Sequence, residues 1–174
     1  MTVFTAGDVV SAAELRDALG AIAVLQSDVT VASSTAQQDC PGLAVQVDAY
    51  SRYAIEIYVA YLTGVDPELR LGVTAPPEAA GTWLPLGIPD GTNATTGSLI
   101  AVRREAFNVG GSVATEAGIG GSGTAMGVPI LARMRTYRFG GVVQLRFAQL
   151  YTNAAVTTIA AGSWIRAQKI ESTL

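Results

Sequence analysis

Short segments of alternating or β-branched residues follow one another along most of this chain, and their succession constrains the fold more than any other feature. After residue 24, roughly ten such segments are bounded by Pro, Gly and Asp, and no long helical pattern separates them. Strands that follow one another without helices favour antiparallel pairing, because a parallel neighbour requires a long crossover. The sequence therefore predicts an all-β fold, an antiparallel β-sandwich or barrel, and we interpret it as a β-sandwich of the jelly-roll type.

The segment YAIEIYVAY, residues 53–61, shows the alternation most clearly. In an extended strand, Ile55, Ile57 and Val59 lie on one face, and the residues between them lie on the other. We therefore predict a strand with one side in the core and one side half polar.

A tight turn is predicted at Gly140-Gly141, because two consecutive glycines adopt turn conformations at little cost. The residues before this turn, 132–139, and those after it, 142–152, both have strand character. Since a short turn usually joins antiparallel neighbours, we predict that the two segments form one long hairpin.

A helical pattern is present near the N-terminus, in SAAELRDALGAI at residues 11–22. Ser11 is followed three residues later by Glu14, which is the capping-box spacing of a helix start. We therefore predict a short α-helix in an N-terminal arm, residues 1–24, followed by a β-sandwich domain, residues 25–174.

Apolar residues of this arm repeat at helical spacing and form one narrow stripe. A helix of two or three turns is marginal by itself, so the stripe must lie against another surface. That surface is either the arm's own domain or a neighbouring subunit, in which case the arm docks there. The docking residues would be Val9, Leu15, Leu19 and Ile22.

The segment EAGIGGSGTAMGVP, residues 116–129, contains the G-x-G-x-x-G spacing of a dinucleotide-binding loop. In such loops a helix follows the glycines, whereas Gly127 and Pro129 would break one here. No acidic residue lies between 117 and 170 to bind a ribose, and Thr124 stands where a phosphate-binding loop has lysine. We therefore predict a connection between strands. It is either a loose surface loop or a place where two backbones approach closely, for example near a symmetry axis.

Residues for catalysis or metal binding are scarce. The chain has no histidine and a single cysteine, Cys40, which excludes a Ser-His-Asp triad or a Cys-His pair within this chain and removes the common zinc sites. Cys40 precedes Pro41 and is interpreted as a turn residue. The carboxylates of Glu56, Asp66 and Glu68 show no spacing that indicates a shared glycosidase pocket. We expect a protein that is not an enzyme and has no cofactor.

Charged residues make up only 14% of the chain, so much of its surface must be neutral. Such a surface is typical of a subunit within an assembly, although a lightly charged monomer would also fit. The basic residues of the C-terminal third alternate with apolar ones instead of clustering with aromatic residues, so we expect no nucleic-acid partner. The chain has neither a long apolar run nor the pattern of a signal peptide, so we expect no membrane partner.

Two tryptophans, Trp83 and Trp164, are the side chains best able to stack on a sugar, although such residues also anchor cores. Carbohydrate binding through these two residues is the alternative to a purely structural role.

Two long stretches resemble a group of small virion structural proteins from tailed phages of actinobacteria. The first is the order YAIEIYVAYL, PELRLGVTAP and GTW, and the second is VQLRFAQLYTNAAVTTIAAGSWIRAQKI. Members of the group often begin with a segment similar to FTAGDVVSAAELRDAL and end on a strand like AGSWIRAQKI. The resemblance extends from about residue 4 to residue 170.

The resemblance implies a β-rich subunit on a phage particle, assembled in the host cytoplasm. It also implies a homotrimer with a jelly-roll body that contacts either the major capsid protein or tail proteins. Of the two possible roles, we prefer a capsid decoration protein on the head over a minor tail protein. A tail-tip receptor-binding or carbohydrate-binding module is a further alternative. The group supplies no catalytic residues.

Overall fold

A computed structural model describes residues 9, 11, 19–87, 101–102, 105–107 and 115–172, of which 101–102, 105–107, 115–118 and 171–172 are described by their backbone alone. Thirteen strands lie in these ranges. They are β1 (Ala21–Val24), β2 (Val29–Val31), β3 (Gln38–Val47), β4 (Ser51–Leu62), β5 (Leu69–Thr74), β6 (Ala80–Gly87), β7 (Ala101–Val102), β8 (Glu105–Phe107), β9 (Thr115–Ile119), β10 (Ala125–Arg135), β11 (Gly141–Gln149), β12 (Thr157–Ile159) and β13 (Trp164–Ser172).

The strands form two antiparallel sheets with one apolar core between them. The large sheet has the order β1-β13-β4-β10-β6-β7, with β12 and β2 attached beside β4 and β8 beside β6. The small sheet has the order β3-β11-β5-β9. Ile57 and Trp83 of the large sheet and Leu71 and Phe147 of the small sheet belong to the same buried cluster. The predicted β-sandwich is therefore confirmed.

The strand order is that of a jelly roll. In the small sheet β3 pairs with β11 and β5 with β9, while in the large sheet β4 pairs with β10 and β6 with β8. In chain order, the pair β4–β10 lies between β3 and β11, the pair β5–β9 lies between β4 and β10, and the pair β6–β8 lies between β5 and β9. One long hairpin rolled into two sheets gives this nesting. Successive pairs alternate between the sheets, which confirms the jelly-roll prediction for the described strands.

Strand β4 follows the predicted alternation. Ile55, Ile57 and Val59 are buried, whereas Glu56 and Tyr58 point away from the core. The pleat of a strand places successive side chains on opposite faces, so the local sequence alone determines which face of β4 is inside.

The end of the predicted N-terminal helix is wrong. Leu19 is helical, but residues 21–24 form β1, which pairs with β13 at the edge of the large sheet. Between them Gly20 has a φ of +78°, and a Cβ at this position would lie 2.6 Å from the carbonyl oxygen of Ala167. This glycine ends the helix and lets the chain approach β13, whose backbone then supplies the hydrogen bonds. Glu14 of the predicted helix start lies outside the described residues.

The predicted hairpin around Gly140-Gly141 is also wrong. Strand β10 pairs with β4 and β6 in the large sheet, whereas β11 pairs with β3 and β5 in the small sheet. Both strands have a buried apolar face, and the two faces meet across the core because the strands belong to different sheets. The connection therefore crosses from one sheet to the other.

Cys40 lies within β3 and not in a turn between strands. The register between β3 and β11 shifts at this place, because Ala44 is opposite Gln144 and Asp39 is opposite Arg146. The residues Cys40 to Leu43 form a bulge, and the side-chain amide of Gln144 donates a 2.7 Å hydrogen bond to the Cys40 carbonyl oxygen. Burial raises the pKa of the Cys40 thiol to about 12, which keeps it protonated at neutral pH.

The glycine-rich segment connects β9 to β10, as predicted. Of the two forms left open, the structure shows a close approach of backbones within the same chain. A Cβ on Gly121 would collide with the carbonyl oxygen of Gly64 and lie 2.6 Å from the methyl group of Thr63. The Gly123 amide donates a 2.9 Å hydrogen bond to the Thr63 carbonyl oxygen. The glycines therefore serve backbone packing.

Candidate interaction surface

The outward side of the large sheet carries exposed apolar side chains. Buried and exposed residues alternate along β4 and β10, so that Tyr58 and Leu131 point away from the core. The register of the strands places such outward residues side by side, in rows that cross the sheet from β1 to β6.

The first row contains no charged residue. Across the sheet, each residue is the direct partner of the next through the pairings of β1 with β13, β13 with β4, and β4 with β10. The row consists of Val24, Trp164, Tyr58 and Pro129. The ring of Tyr58 lies across Gly127, where a Cβ would collide with the Tyr58 hydroxyl. The ring therefore stays close to the backbone of β10 and projects little from the sheet.

The second row has an ion pair at its centre and apolar residues on both sides. Arg166 on β13 donates a 2.8 Å hydrogen bond to the Glu56 carboxylate on β4. Ile22 lies next to Arg166 on β1, and Leu131 lies next to Glu56 on β10, followed by Leu84 on β6. We use the name apolar face for the outward side formed by these two rows. Its defining residues are Ile22, Val24, Tyr58, Pro129, Leu131 and Trp164.

The outward side of the small sheet is polar. Its residues include Gln46, Gln144 and Thr74, and Val142 is an exposed apolar residue among them. The polar side chains bond within the chain, since Gln144 donates to the Cys40 carbonyl oxygen and the Thr74 hydroxyl donates to the Gln144 carbonyl oxygen. The two sides of the sandwich therefore differ in chemistry.

The predicted docking residues are placed only in part on this surface. Ile22 is 62% exposed and belongs to the apolar face, and Leu19 is 64% exposed just before β1. Val9 is 96% exposed. Leu15 lies outside the described residues. Because Ile22 is in a strand, it does not share a helical stripe with Leu19, and it gains its apolar neighbours from other strands.

The two tryptophans lie on opposite sides of the large sheet. Trp83 points inward and is fully buried, so it is not available to stack on a sugar at the surface. Trp164 points outward and is half-buried within the apolar face. The alternation around Trp164 contains the signal for this difference, because Ile165 and Ala167 are apolar while Arg166 and Gln168 are polar.

The three candidate glycosidase carboxylates are dispersed over the fold. Glu56 is on the outward side of β4 and pairs with Arg166, whereas Glu68 is buried just before β5. Asp66 is exposed in the connection between β4 and β5. Within the described ranges, no group of three or more Cys, Asp or Glu side chains is arranged to hold a metal ion. In the same ranges, no helix has both the length and the hydrophobicity needed to cross a membrane.

No protein-family model matches the chain, and no curated protein matches it either. Among solved structures, the chain is similar to a chain of the infectious bursal disease virus VP2 subviral particle, with a TM-score of 0.25 and 14% identity over 86% of this chain and 41% of that one. A chain in the structure of the Gx strain of the same virus gives a TM-score of 0.23 and 14% identity, covering 84% of this chain and 40% of that one. The chain thus spans about two fifths of the length of these viral chains.

Proposed function

We propose that this chain is a structural subunit of a bacteriophage particle, a homotrimeric decoration protein that binds the head and has no catalytic activity of its own. The apolar face is the observation that carries the proposal. Large apolar surfaces that remain exposed on a folded domain mark places where another protein binds. The resemblance of the sequence to virion structural proteins of tailed phages supports the choice of a phage particle.

The size of the apolar face limits the free energy of binding that it can contribute. The strands from β1 to β6 are about 4.8 Å apart and rise about 3.3 Å per residue, so two rows that each span about two residues on five strands cover on the order of 300 Å². At about 25 cal/mol per Å², covering it yields about 8 kcal/mol of gross stabilisation. Association costs about 4–15 kcal/mol in lost freedom, so this face alone supports only a weak complex.

A second contact therefore has to accompany the first. The N-terminal arm, residues 1–24, enters the large sheet through β1, and Ile22 and Val24 of β1 are part of the apolar face. In the proposed assembly the arm, including Val9 and Leu19, binds the neighbouring subunit while the body binds the capsid. Linking two weak contacts in one chain multiplies their effect, because the second forms at high effective concentration.

The burial of Trp83 weighs against the alternative of a carbohydrate-binding module at the tail tip. Such a module needs exposed aromatic rings, and Trp164 would have to act without a second tryptophan beside it. A minor tail protein would use the same apolar face toward tail subunits, so the location of the protein on the particle has to be measured directly.

Immunogold labelling of purified phage particles that carry this protein tests the proposal. We expect label over the heads, and label on the tail would contradict decoration of the capsid. Particles without label, alongside free protein in the lysate, would contradict any role in the virion. Light scattering on the purified full chain tests the oligomeric state, and a monomer at micromolar concentration would remove the trimer.

A further inference from the structure

An arginine-lined pocket opens beyond the apolar face, on the same side of the large sheet. Its volume is about 390 Å³, which is within the range of about 300–1,000 Å³ that is typical of small-molecule sites. It lies between β4, β6 and β10, with Ile170 of β13 at its side. The described residues that line it include three arginines and no acidic residue: Arg52, Tyr53, Ala80, Gly81, Thr82, Arg133, Met134, Arg135 and Ile170.

The register brings the arginines together. Arg135 on β10 is the direct partner of Arg52 on β4, and Arg133 lies two residues before Arg135 on the same face. Directly opposed residues in an antiparallel pair have Cβ atoms about 4.5–5.5 Å apart, where like charges destabilise the pair. On its other side, Arg52 has Glu171 of β13 as its direct partner in the register.

Among the described register partners of Arg133 and Arg135, none is acidic. Their partners on β6 are Thr82 and Ala80, and Arg133 faces Ala54 on β4. In the described part of the chain, neither guanidinium forms an ion pair, and the Nε atom of Arg135 is buried without a hydrogen-bond partner. The Arg135 guanidinium lies 4.9 Å from the ring centroid of Tyr137, which orients it but does not neutralise it.

We propose that this pocket binds a small ligand with an oxyanion, a carboxylate or phosphate group, attached to an apolar body. A guanidinium presents parallel N–H donors that match the two oxygens of such a group. The Thr82 hydroxyl offers a further hydrogen bond, while the exposed side chain of Ile170 provides an apolar wall. This site is independent of the proposed structural role, because it requires no second subunit.

Isothermal titration calorimetry on the full chain tests the site at constant ionic strength, with benzoate and inorganic phosphate as the oxyanion probes and benzamide as the neutral analogue of benzoate. We expect saturable binding of benzoate, weaker binding of phosphate, and no binding of benzamide. Arg133→Gln and Arg135→Gln should each weaken benzoate binding at least ten-fold, since a charge-assisted hydrogen bond is lost. Arg133→Lys keeps the charge without the paired donors and should give an intermediate loss.

Arg138→Gln is the matched control, because it removes one positive charge from an exposed arginine that pairs with Glu78 outside the pocket. Its affinity for benzoate should equal that of the unmodified chain. Equal weakening in Arg138→Gln and Arg135→Gln would overturn the site in favour of general charge attraction. Absence of benzoate and phosphate binding to the unmodified, folded chain would overturn it outright, and binding of phosphate alone would overturn the apolar part.

Discussion

The two outward sides of the sandwich have the same backbone architecture and opposite chemistry. On the large sheet, Val24, Tyr58 and Leu131 are exposed beside one another, and the Arg166–Glu56 pair lies between apolar neighbours. On the small sheet, polar residues predominate. Both inward sides are apolar, so the core does not require this difference. The outward side of a sheet is not constrained by the core and can be polar or apolar. Here the outward side of the large sheet is apolar, as is typical of a surface that another protein covers.

The hydrogen bonds sharpen the contrast. On the small sheet, the side chains of Gln144, Arg146 and Arg70 donate to the carbonyl oxygens of Cys40, Gln37 and Thr35. These polar groups are thus occupied in holding the bulge of β3 and the segment before it. The small sheet uses its outward side for its own stability, whereas the apolar face leaves its contacts to a partner.

The largest expected effect is a difference in stability between variants of an inward and an outward tryptophan of the large sheet. Trp83→Ala should lower the free energy of unfolding by about 3–5 kcal/mol, because it leaves a large cavity in the core. Trp164→Ala, on the apolar face, should lower it by about 1 kcal/mol or less. Urea unfolding followed by far-UV circular dichroism measures both. Equal losses would contradict the assignment of Trp164 to the outward side.

A control refines the Trp83 result. Among the described residues, the buried indole Nε1 of Trp83 has no hydrogen-bond partner, so its N–H contributes a desolvation cost. Trp83→Phe removes that donor and retains most of the ring, and it should destabilise the fold less than Trp83→Ala. A Phe variant as unstable as the Ala variant would show that this donor does have a partner in solution.

The second prediction compares the two outward sides directly. Leu131→Glu places a charge on the apolar face and should weaken self-association or binding to particles by about 30-fold or more, as for a central interface residue. Val142→Glu introduces the same charge at an exposed valine of the small sheet and should leave binding unchanged. Each variant should retain stability within about 0.5 kcal/mol. Sedimentation of the purified variants with particles measures the loss, and a larger effect of Val142→Glu would reverse the assignment of the faces.

The third prediction concerns the polar side. Gln144→Ala should cost about 1–2 kcal/mol of stability, because the carbonyl oxygen of Cys40 in the bulge loses its donor. It should not change association. Gln46→Ala removes an exposed glutamine from the same side and is the matched control, expected within 0.5 kcal/mol. Thermal unfolding distinguishes them, and an unchanged melting temperature in Gln144→Ala would show that the bulge holds without this bond.

Local patterns made the strands predictable, as β4 illustrates. Its alternation is a property of adjacent residues, and the nested jelly-roll order follows from rolling up a chain of such strands. The pairing of β10 and β11 was not predictable in the same way, because their turn is compatible with a hairpin. Only competition from β4 and β6 for the edges of β10 places the two strands in different sheets.

The apolar face was beyond the reach of sequence reasoning for a similar reason. Its residues come from four strands, and register alone assembles Ile22, Tyr58 and Leu131 into one surface. Ile22 fits a helical stripe because it lies three residues after Leu19, and its neighbours Ala23 and Val24 are also apolar, so no alternation indicates a strand. Around Trp83 the sequence TWLPL is apolar in both phases, so its alternation could not indicate which side faces inward.

The smallest effect in the isolated subunit tests whether the apolar face becomes covered. Glu56 and Arg166 are each about 40% exposed, so a double-mutant cycle of Glu56→Gln and Arg166→Gln should give a coupling of only about 0.2–1 kcal/mol in the monomer, reduced further by salt. In the assembly the same pair would lie inside an interface. Removing one partner there leaves the other charge buried, which costs about 2–5 kcal/mol.

The comparison between the two states is therefore more informative than either value. If assembly covers the apolar face, either single variant should weaken association far more than it weakens folding, and the double variant should recover part of that loss. The Arg146–Asp39 pair on the small sheet provides the matched cycle, since it should give the same coupling in the monomer and in the assembly. A coupling for Arg166 and Glu56 that stays constant on assembly would show that water still reaches this row and that the partner binds elsewhere.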